Sequence, residues 1–335
     1  MRVLVTGGAG FLGSHLGDRC AREGHEVVAL DDLSTGSADN LAGALDSGRV
    51  RLVRGDVRGA ELVGDLVARA DLVLHLAGAV GVRVVADDPV GTWSRNVDGT
   101  AAVLAACARG GRRVLIASTS EVYGPRASGV LREDDPVSAH PAGRRDVYAI
   151  AKLAGESLAL ALNRSSLLPV TVLRLFNVVG PRQSDRYGMV LPRFAAAAVR
   201  GEPLVVHGDG RQTRCFLHVD DAVEAVLALA RAPASEGLVV NVGSETEVTI
   251  LDLARAVVAR AGTGAPIRFV PFESVYGEGF VDPLCRRPDT SRLRTLTGVV
   301  PSRSLDDAVR DALDAARAGP AGLPEASCPS RGPAA

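Results

Sequence analysis

Tyr148 and Lys152 stand four residues apart in Tyr148-Ala-Ile-Ala-Lys152, at the start of a stretch whose helical periodicity runs to about Ala161. That spacing puts both side chains on one helix face. A phenol titrates near pH ~10, too high for a base at neutral pH, but an ammonium one turn away stabilises the phenolate. The pair can then take a proton from a hydroxyl. A second polar cluster, Ser118-Thr-Ser-Glu-Val-Tyr-Gly124, follows an apolar run and supplies Thr119 to share the moving proton. One Tyr-x-x-x-Lys match also fits a surface helix pair, so its meaning depends on what surrounds it.

What surrounds it begins at the N-terminus, in Val3-Leu-Val-Thr-Gly-Gly-Ala-Gly-Phe-Leu-Gly13. An apolar, β-branched run ends in Thr6, three glycines follow, and an apolar-periodic segment continues to about Ala21. The pattern reads as strand, tight turn and helix. Gly7 permits the turn, Gly10 lets backbone approach a ligand, and Gly13 lets helix and strand pack closely. The helix start, with Phe11 and Leu12 in its first turn, offers free N–H groups and a positive dipole end to a pyrophosphate. The spacing is Gly-x-x-Gly-x-x-Gly rather than the commoner Gly-x-Gly-x-x-Gly. The next predicted strand, Glu26–Leu30, ends in Asp31, at the distance expected for an acid on an adenosine ribose. A carboxylate there accepts from ribose hydroxyls and repels a 2′-phosphate, which favours NAD over NADP. A loop-capping acid would look the same. With NAD bound, its positive nicotinamide would further stabilise a Tyr148 phenolate while the carbon bearing the substrate hydroxyl gives up hydride.

These residues must be held by a scaffold. Strands are expected at Val50–Val53, Asp71–Ala77, Arg113–Ala117 and Val170–Phe176, with helices at Glu61–Arg69, Pro89–Ala108 and Tyr148–Ala161. Continuous apolar strands alternating with amphipathic helices imply an α/β fold, a Rossmann-type doubly wound parallel sheet. Ligands in such sheets sit beyond the carboxyl ends of the strands. That singles out Asp56 and Val57 beside an adenine, and Leu76, Ala77 and Gly78 along the cofactor. His75, inside an apolar strand, reads as a core histidine. The second half is less regular, with helices at Met189–Arg200, Phe216–Ala230, Ile250–Arg260 and Ser304–Ala318 and strands at Leu204–His207 and Val239–Val242. The division expected is an NAD-binding domain over 1–175 and a smaller α/β substrate lobe over 176–315, some of whose elements return to the first domain. A flexible Pro/Gly/Ala/Ser tail over 316–335 completes it.

Composition narrows the function classes. The chain has 335 residues, 47% hydrophobic and 23% charged, with a net charge of −1. No basic field argues for nucleic acid or an anionic membrane surface. No apolar run reaches the ~18 residues a bilayer span needs. Met1 leads directly into the first predicted strand, so a cytoplasmic protein is expected. Cys20, Cys107, Cys215, Cys285 and Cys328 contain no C-x-x-C pair and read as free thiols, with no metal site.

Taken together, the motifs are similar to those of the extended short-chain dehydrogenase/reductases that act on nucleotide sugars. The resemblance covers about residues 1–315. It rests on Thr6–Gly13, Leu30–Gly36, His75–Gly78, Asn96-Val-Asp-Gly-Thr100, Ser118–Gly124, Tyr148-x-x-x-Lys152, Arg174–Arg182 and Gly208-Asp-Gly-Arg-Gln-Thr-Arg214. It implies that Asn96 serves the cofactor and that Asn177 and Arg214 meet a sugar diphosphate. It also implies that Arg193 faces the nucleotide, that a uracil or thymine stacks near Val206, and that Arg182, Val190 and Gln212 contribute to the substrate site. The family starts by oxidising carbon 4 of the hexose. Ser120-Glu121 resembles UDP-glucuronate decarboxylases, with GDP-mannose dehydratases similar; simple 4-epimerases tend to lack the acid, and hexose 4,6-dehydratases often carry Asp-Glu. Tyr276–Pro288 resembles the decarboxylase segment in which Arg286 faces the substrate carboxylate and Phe280 packs near the nucleotide. The implied activity is conversion of UDP-glucuronate to UDP-xylose. The alternatives are a nucleotide-sugar 4-epimerase on UDP-glucuronate or UDP-glucose, a 4,6-dehydratase, and an NAD-binding regulator without chemistry. Relatives commonly form homodimers through a helix pair that corresponds to residues 89–108 and 147–163.

Overall fold

The computed structural model describes residues 1–124, 129–140, 146–276, 282 and 284–319. Seven parallel strands form the central sheet: β1 (Arg2–Thr6), β2 (Glu26–Asp31), β3 (Val50–Arg54), β4 (Leu72–His75), β5 (Arg113–Thr119), β6 (Val170–Leu175) and β7 (Val239–Val242). Their order is β7-β6-β5-β4-β1-β2-β3. The chain builds outward from β1 in one direction through β3, then restarts at β4 on the other side of β1. That reversal opens a crevice at the carboxyl ends of β1 and β4. The seventh strand, drawn from the second half of the chain, extends the sheet beyond β6.

Helices cover both faces. On one face α1 (Phe11–Arg22) and a helix introduced below pack Leu16, Cys20 and Val226 against Val3, Val5 and Leu74. On the other, α2 (Ala60–Ala68), α3 (Pro89–Gly110) and α4 (Asp146–Arg164) bring Val63, Leu104 and Ala159 against Leu4, Val73 and Val172. Both faces being dry explains why the strands read as continuous apolar runs rather than as alternating ones. Asp88 caps α3 through Gly91 N–H, and Gly111 ends it in the left-handed conformation.

The smaller lobe has its own core, built by α5 (Val190–Val199), α7 (Ile250–Ala261), α8 (Leu305–Ala318) and the strand Leu204–His207, around Phe194, Val206, Leu253 and Leu313. Between α5 and α7 in sequence, α6 (Val219–Arg231) leaves this lobe to cover the first face of the sheet. The predicted start at Phe216 is early by three residues, because Thr213–Cys215 and Leu217–His218 are drawn into two short strands. Each pairs with one other segment, Glu247–Thr249 and Val178–Val179 respectively. Residues 320–335, most of the predicted tail, lie outside the described residues, as does Phe280. Among the described residues no helix is long and apolar enough to cross a membrane, and no cluster of His, Cys, Asp and Glu could hold a metal ion.

Candidate active site

A cleft of about 730 Å³ runs along the carboxyl ends of the strands into the seam with the smaller lobe. Its floor is the glycine turn. Gly7 takes φ +70°, and a Cβ there would lie 2.8 Å from Ala77 N. A Cβ on Gly13 would lie 2.1 Å from the Gly7 carbonyl oxygen, so α1 can start this close to β1 only without one. Gly10 caps α1 with no side-chain hydrogen bond, and the first turn carries no acid. The leading N–H groups of α1 thus face the cleft beside Phe11 and Leu12, which suits a pyrophosphate.

Asp31, at the end of β2, lines the same cleft and is largely buried. One carboxylate oxygen accepts from Ala9 N at 2.9 Å and the other from Leu33 N at 2.8 Å. The residue therefore braces the glycine turn while it lines the cleft. Burial raises its pKa, and the backbone donors oppose that shift. Asp56, Val57, Leu76, Ala77 and Gly78 all line the cleft. The Asp56 carboxylate is held by Arg58, which keeps its pKa low. Asn96 does not line the cleft: it is fully buried behind Gly78, with Nδ2 donating to Ala79 and Thr92 carbonyls. A Cβ on Gly78 would sit 2.5 Å from Asn96 Oδ1 and 3.2 Å from Lys152 Nζ. His75 is a core residue, bridging Thr6 Oγ1 at 2.7 Å and Thr100 Oγ1 at 3.0 Å.

At the inner end of the cleft, Tyr148 and Lys152 project from α4 over the end of β5. Lys152 Nζ lies 6.0 Å from the centre of the Tyr148 ring and donates to the Ala117 carbonyl at 3.0 Å. Burial pulls the ammonium down to about 8, with Glu156 resisting. Burial pushes the phenol well above its ordinary value; the charge of Glu121 adds to this and a hydrogen bond with Thr119 opposes it. The Thr119 hydroxyl also accepts from Glu121 N at 3.2 Å and so caps the single 3-10 turn Ser120–Tyr123. Ser120 is buried within that turn and does not line the cleft. Glu121 does, and its Oε1 lies 3.9 Å from Arg286 Nη1. The two residues singled out from distant parts of the sequence thus meet beside Tyr148.

The outer wall carries the expected substrate residues. Asn177, Arg182, Val190 and Arg214 line the cleft. Asn177 adopts φ +34°, a strained conformation for a non-glycine residue, and donates to the Cys215 carbonyl at 3.1 Å. Arg182 pairs with Asp18 of α1 at 2.6 Å, and Arg214 pairs with Asp282 at 2.6 Å. Three other expected residues do not line it. The alternation of Leu204–His207 turns Val206 into the small-lobe core and leaves Val205 and His207 part-exposed. Arg193 donates to the Val205 carbonyl at 2.9 Å, and the buried Gln212 amide donates to the His207 carbonyl at 3.1 Å. The sequence reading missed Asp282, Asp18 and Glu156. Of these only Glu156, one turn beyond Lys152 on the same helix face, carried a local signal.

Comparisons with known proteins give the family and the fold. The family model described as the NAD dependent epimerase/dehydratase family matches residues 3–243. The chain is 36% identical over 313 residues to a UDP-N-acetyl-alpha-D-glucosaminuronate decarboxylase of Bacillus cytotoxicus, covering 93% of this chain and 96% of that one. It is 35% identical over 305 residues to UDP-glucuronic acid decarboxylase 1 of Arabidopsis thaliana, covering 91% and 67%. Its fold matches the crystal structure of a UDP-glucuronic acid 4-epimerase from Bacillus cereus, in complex with UDP-glucuronic acid and NAD, with a TM-score of 0.86 at 28% identity over 95% and 99% of the chains.

Proposed function

The chain belongs to the NAD-dependent epimerase/dehydratase family, and from that premise we propose that it decarboxylates a UDP-linked hexuronate through a 4-keto intermediate. UDP-glucuronate, giving UDP-xylose, is the reading the motifs favour. A 2-acetamido analogue is the substrate named for one relative. The observation that carries the reading is the meeting of Glu121 and Arg286 beside Tyr148. NAD fits the glycine floor, the uncapped start of α1 and Asp31. Held there, NAD would supply the hydride acceptor for carbon 4 of the sugar and the hydride donor for its later reduction.

The residues of this chain do the rest. Tyr148, in contact with Thr119, takes the proton of the carbon 4 hydroxyl. Lys152 supplies the positive charge that favours the phenolate and holds the nicotinamide ribose. Oxidation at carbon 4 places a ketone β to the carbon 6 carboxylate. The bond between carbons 5 and 6 can then break, its electron pair passing to the ketone as an enolate while carbon dioxide leaves. Arg286 orients the departing carboxylate by charge, and Glu121 manages the proton delivered to carbon 5, which takes the place of the lost carboxylate. Ser120 holds the turn that aims Glu121. Asn177 and Arg214 take the diphosphate, with Arg182 and Val190 on the same wall.

The epimerase reading draws on the fold match with a 4-epimerase. A 4,6-dehydratase would lack its usual acid at Ser120, and a regulator without chemistry would not need both Tyr148 and Lys152. Incubating the protein with UDP-glucuronate and, separately, with UDP-N-acetylglucosaminuronate, and measuring carbon dioxide, tests the proposal. Carbon dioxide with a pentose by NMR is expected; an epimer without gas would overturn it. We also propose a cytoplasmic location. A homodimer through α3 and α4 is consistent with the exposed Val90, Trp93 and Leu158 on these helices.

A further inference from the structure

Tyr148, Lys152 and Glu156 recur every four residues, so one face of α4 carries all three from the cleft into the interior. The chemistry proposed above uses only the first two. Glu156 is 3% exposed, and its partner Arg174 on β6 is 5% exposed. Arg174 donates to Glu156 through Nε at 3.1 Å and Nη2 at 2.8 Å. The Ser118 hydroxyl donates to the same carboxylate. Sheet register sets Ser118 on β5 directly beside Arg174. On its other side the guanidinium lies 4.8 Å from the centre of the Tyr123 ring and donates to the Glu133 carbonyl at 3.2 Å. Tyr123 donates to Asn241 Oδ1 at 2.8 Å. This network therefore underlies the whole 118–123 segment, which carries Thr119 and Glu121.

A buried ion pair is a poor source of stability compared with apolar packing of similar volume. Its placement points to another use. The groups facing Lys152 from the neighbouring elements are few. From β4 comes His75, which burial holds neutral at about 3. From α3 comes the uncharged Asn96, which with Lys152 Nζ lies beside Gly78; from the turn after β5 comes Glu121, across Tyr148; from β6 comes Arg174, already engaged by Glu156. The carboxylate that acts on the ammonium against its burial is Glu156.

We propose that Glu156, clamped by Arg174 and Ser118, is a positioning residue that keeps Lys152 in its ammonium form and fixes α4 against the turn bearing Thr119 and Glu121. The inference rests on Tyr148 and Lys152 being the reacting pair. Removing the carboxylate lets burial pull Lys152 below its present value of about 8. The ammonium would then be lost within the neutral range, and with it the support of the phenolate.

The test is the pH profile of kcat for whichever nucleotide sugar the protein turns over. In Glu156→Gln the alkaline limb should move down by about one pH unit, the effect of removing an opposite charge at close range. Glu156→Asp should restore most of the original position. If Glu156→Gln does not fold because Arg174 is left uncompensated, Glu156→Gln/Arg174→Gln, neutral throughout, is measured and should show a displacement in the same direction but smaller, since the opposing charge of Arg174 is removed with that of Glu156. A limb that stays in place while the rate falls evenly across pH would overturn the proposal, and so would failure of both variants to fold, since the network would then serve stability alone. Tyr148→Phe separates the two readings: if it retains turnover, the reacting pair is misassigned, and if it is inactive while the Glu156 profile does not move, only the present inference fails.

Discussion

The two walls of the cleft are made of different material. The cofactor wall is backbone, set by the register of parallel strands. Gly7 N donates to the Leu30 carbonyl at 2.8 Å, Ala9 N to Asp31, and α1 begins without a side-chain cap. The substrate wall is made of long side chains from loops and two-stranded ribbons, and its arginines already have protein partners. Arg182 holds Asp18, Arg214 holds Asp282, and Arg286 faces Glu121. One wall is complete before any ligand arrives. On the proposed function the other would exchange ion pairs to receive a diphosphate and a carboxylate, so that binding there would be a difference between two sets of charged contacts.

The sharpest break comes where the walls meet. Tyr148→Phe should lower kcat by about a thousandfold, within the range of a general base, while NAD still binds. Stopped-flow absorbance of reduced nicotinamide after mixing with substrate checks this; a loss in NAD affinity of the same size would make Tyr148 part of the cofactor wall instead.

Gly13→Ala attacks the backbone wall. The new methyl would meet the Gly7 carbonyl at 2.1 Å, and backbone on both sides cannot yield cheaply. A loss of about 1–3 kcal/mol of stability, of the size seen for overpacking, is expected together with weaker NAD binding. Thermal unfolding with and without NAD reads both, and an unchanged melting temperature would show that the turn is looser than its spacing.

Asp282→Asn addresses the substrate wall. It removes the anion that Arg214 holds in the absence of diphosphate. KM for the nucleotide sugar should fall a few-fold with kcat nearly constant, and the effect should shrink at high salt. A rise in KM would mean that Asp282 positions Arg214 rather than competing for it.

The smallest effect concerns pH and the cofactor wall. Folded His75 is held neutral down to about 3, whereas an unfolded histidine titrates near ~6.5. Between these values the unfolded chain binds the extra proton, so the stability His75 contributes is complete above about 6.5 and declines as pH falls toward 3. His75→Gln, which cannot take up that proton, should show a flatter fall of melting temperature across this window than the parent. Parallel curves would indicate that acid unfolding starts elsewhere.

What could be read in the sequence was local. Strand–turn–helix at Val3–Ala21, the acid ending β2, and the four-residue spacing of Tyr148 and Lys152 are each fixed within a few bonds by backbone geometry, and each occupies its expected place in the fold. The spacing of Lys152 and Glu156 was equally local, but its sense depends on Arg174 reaching Glu156 from β6, eighteen positions along the chain. Val206 shows the same limit from another side: alternation says that neighbours in a strand point oppositely, but not which of them faces the core, and packing against Phe194 and Leu253 decided it. The pairings of the substrate wall lie further still from sequence, with Arg182 and Asp18 separated by 164 positions and Arg214 and Asp282 by 68. A charge in a sequence carries no record of its partner, because ion pairing depends on distance in space, and that distance is set only when the sheet, its crossovers and the second lobe have closed around the cleft.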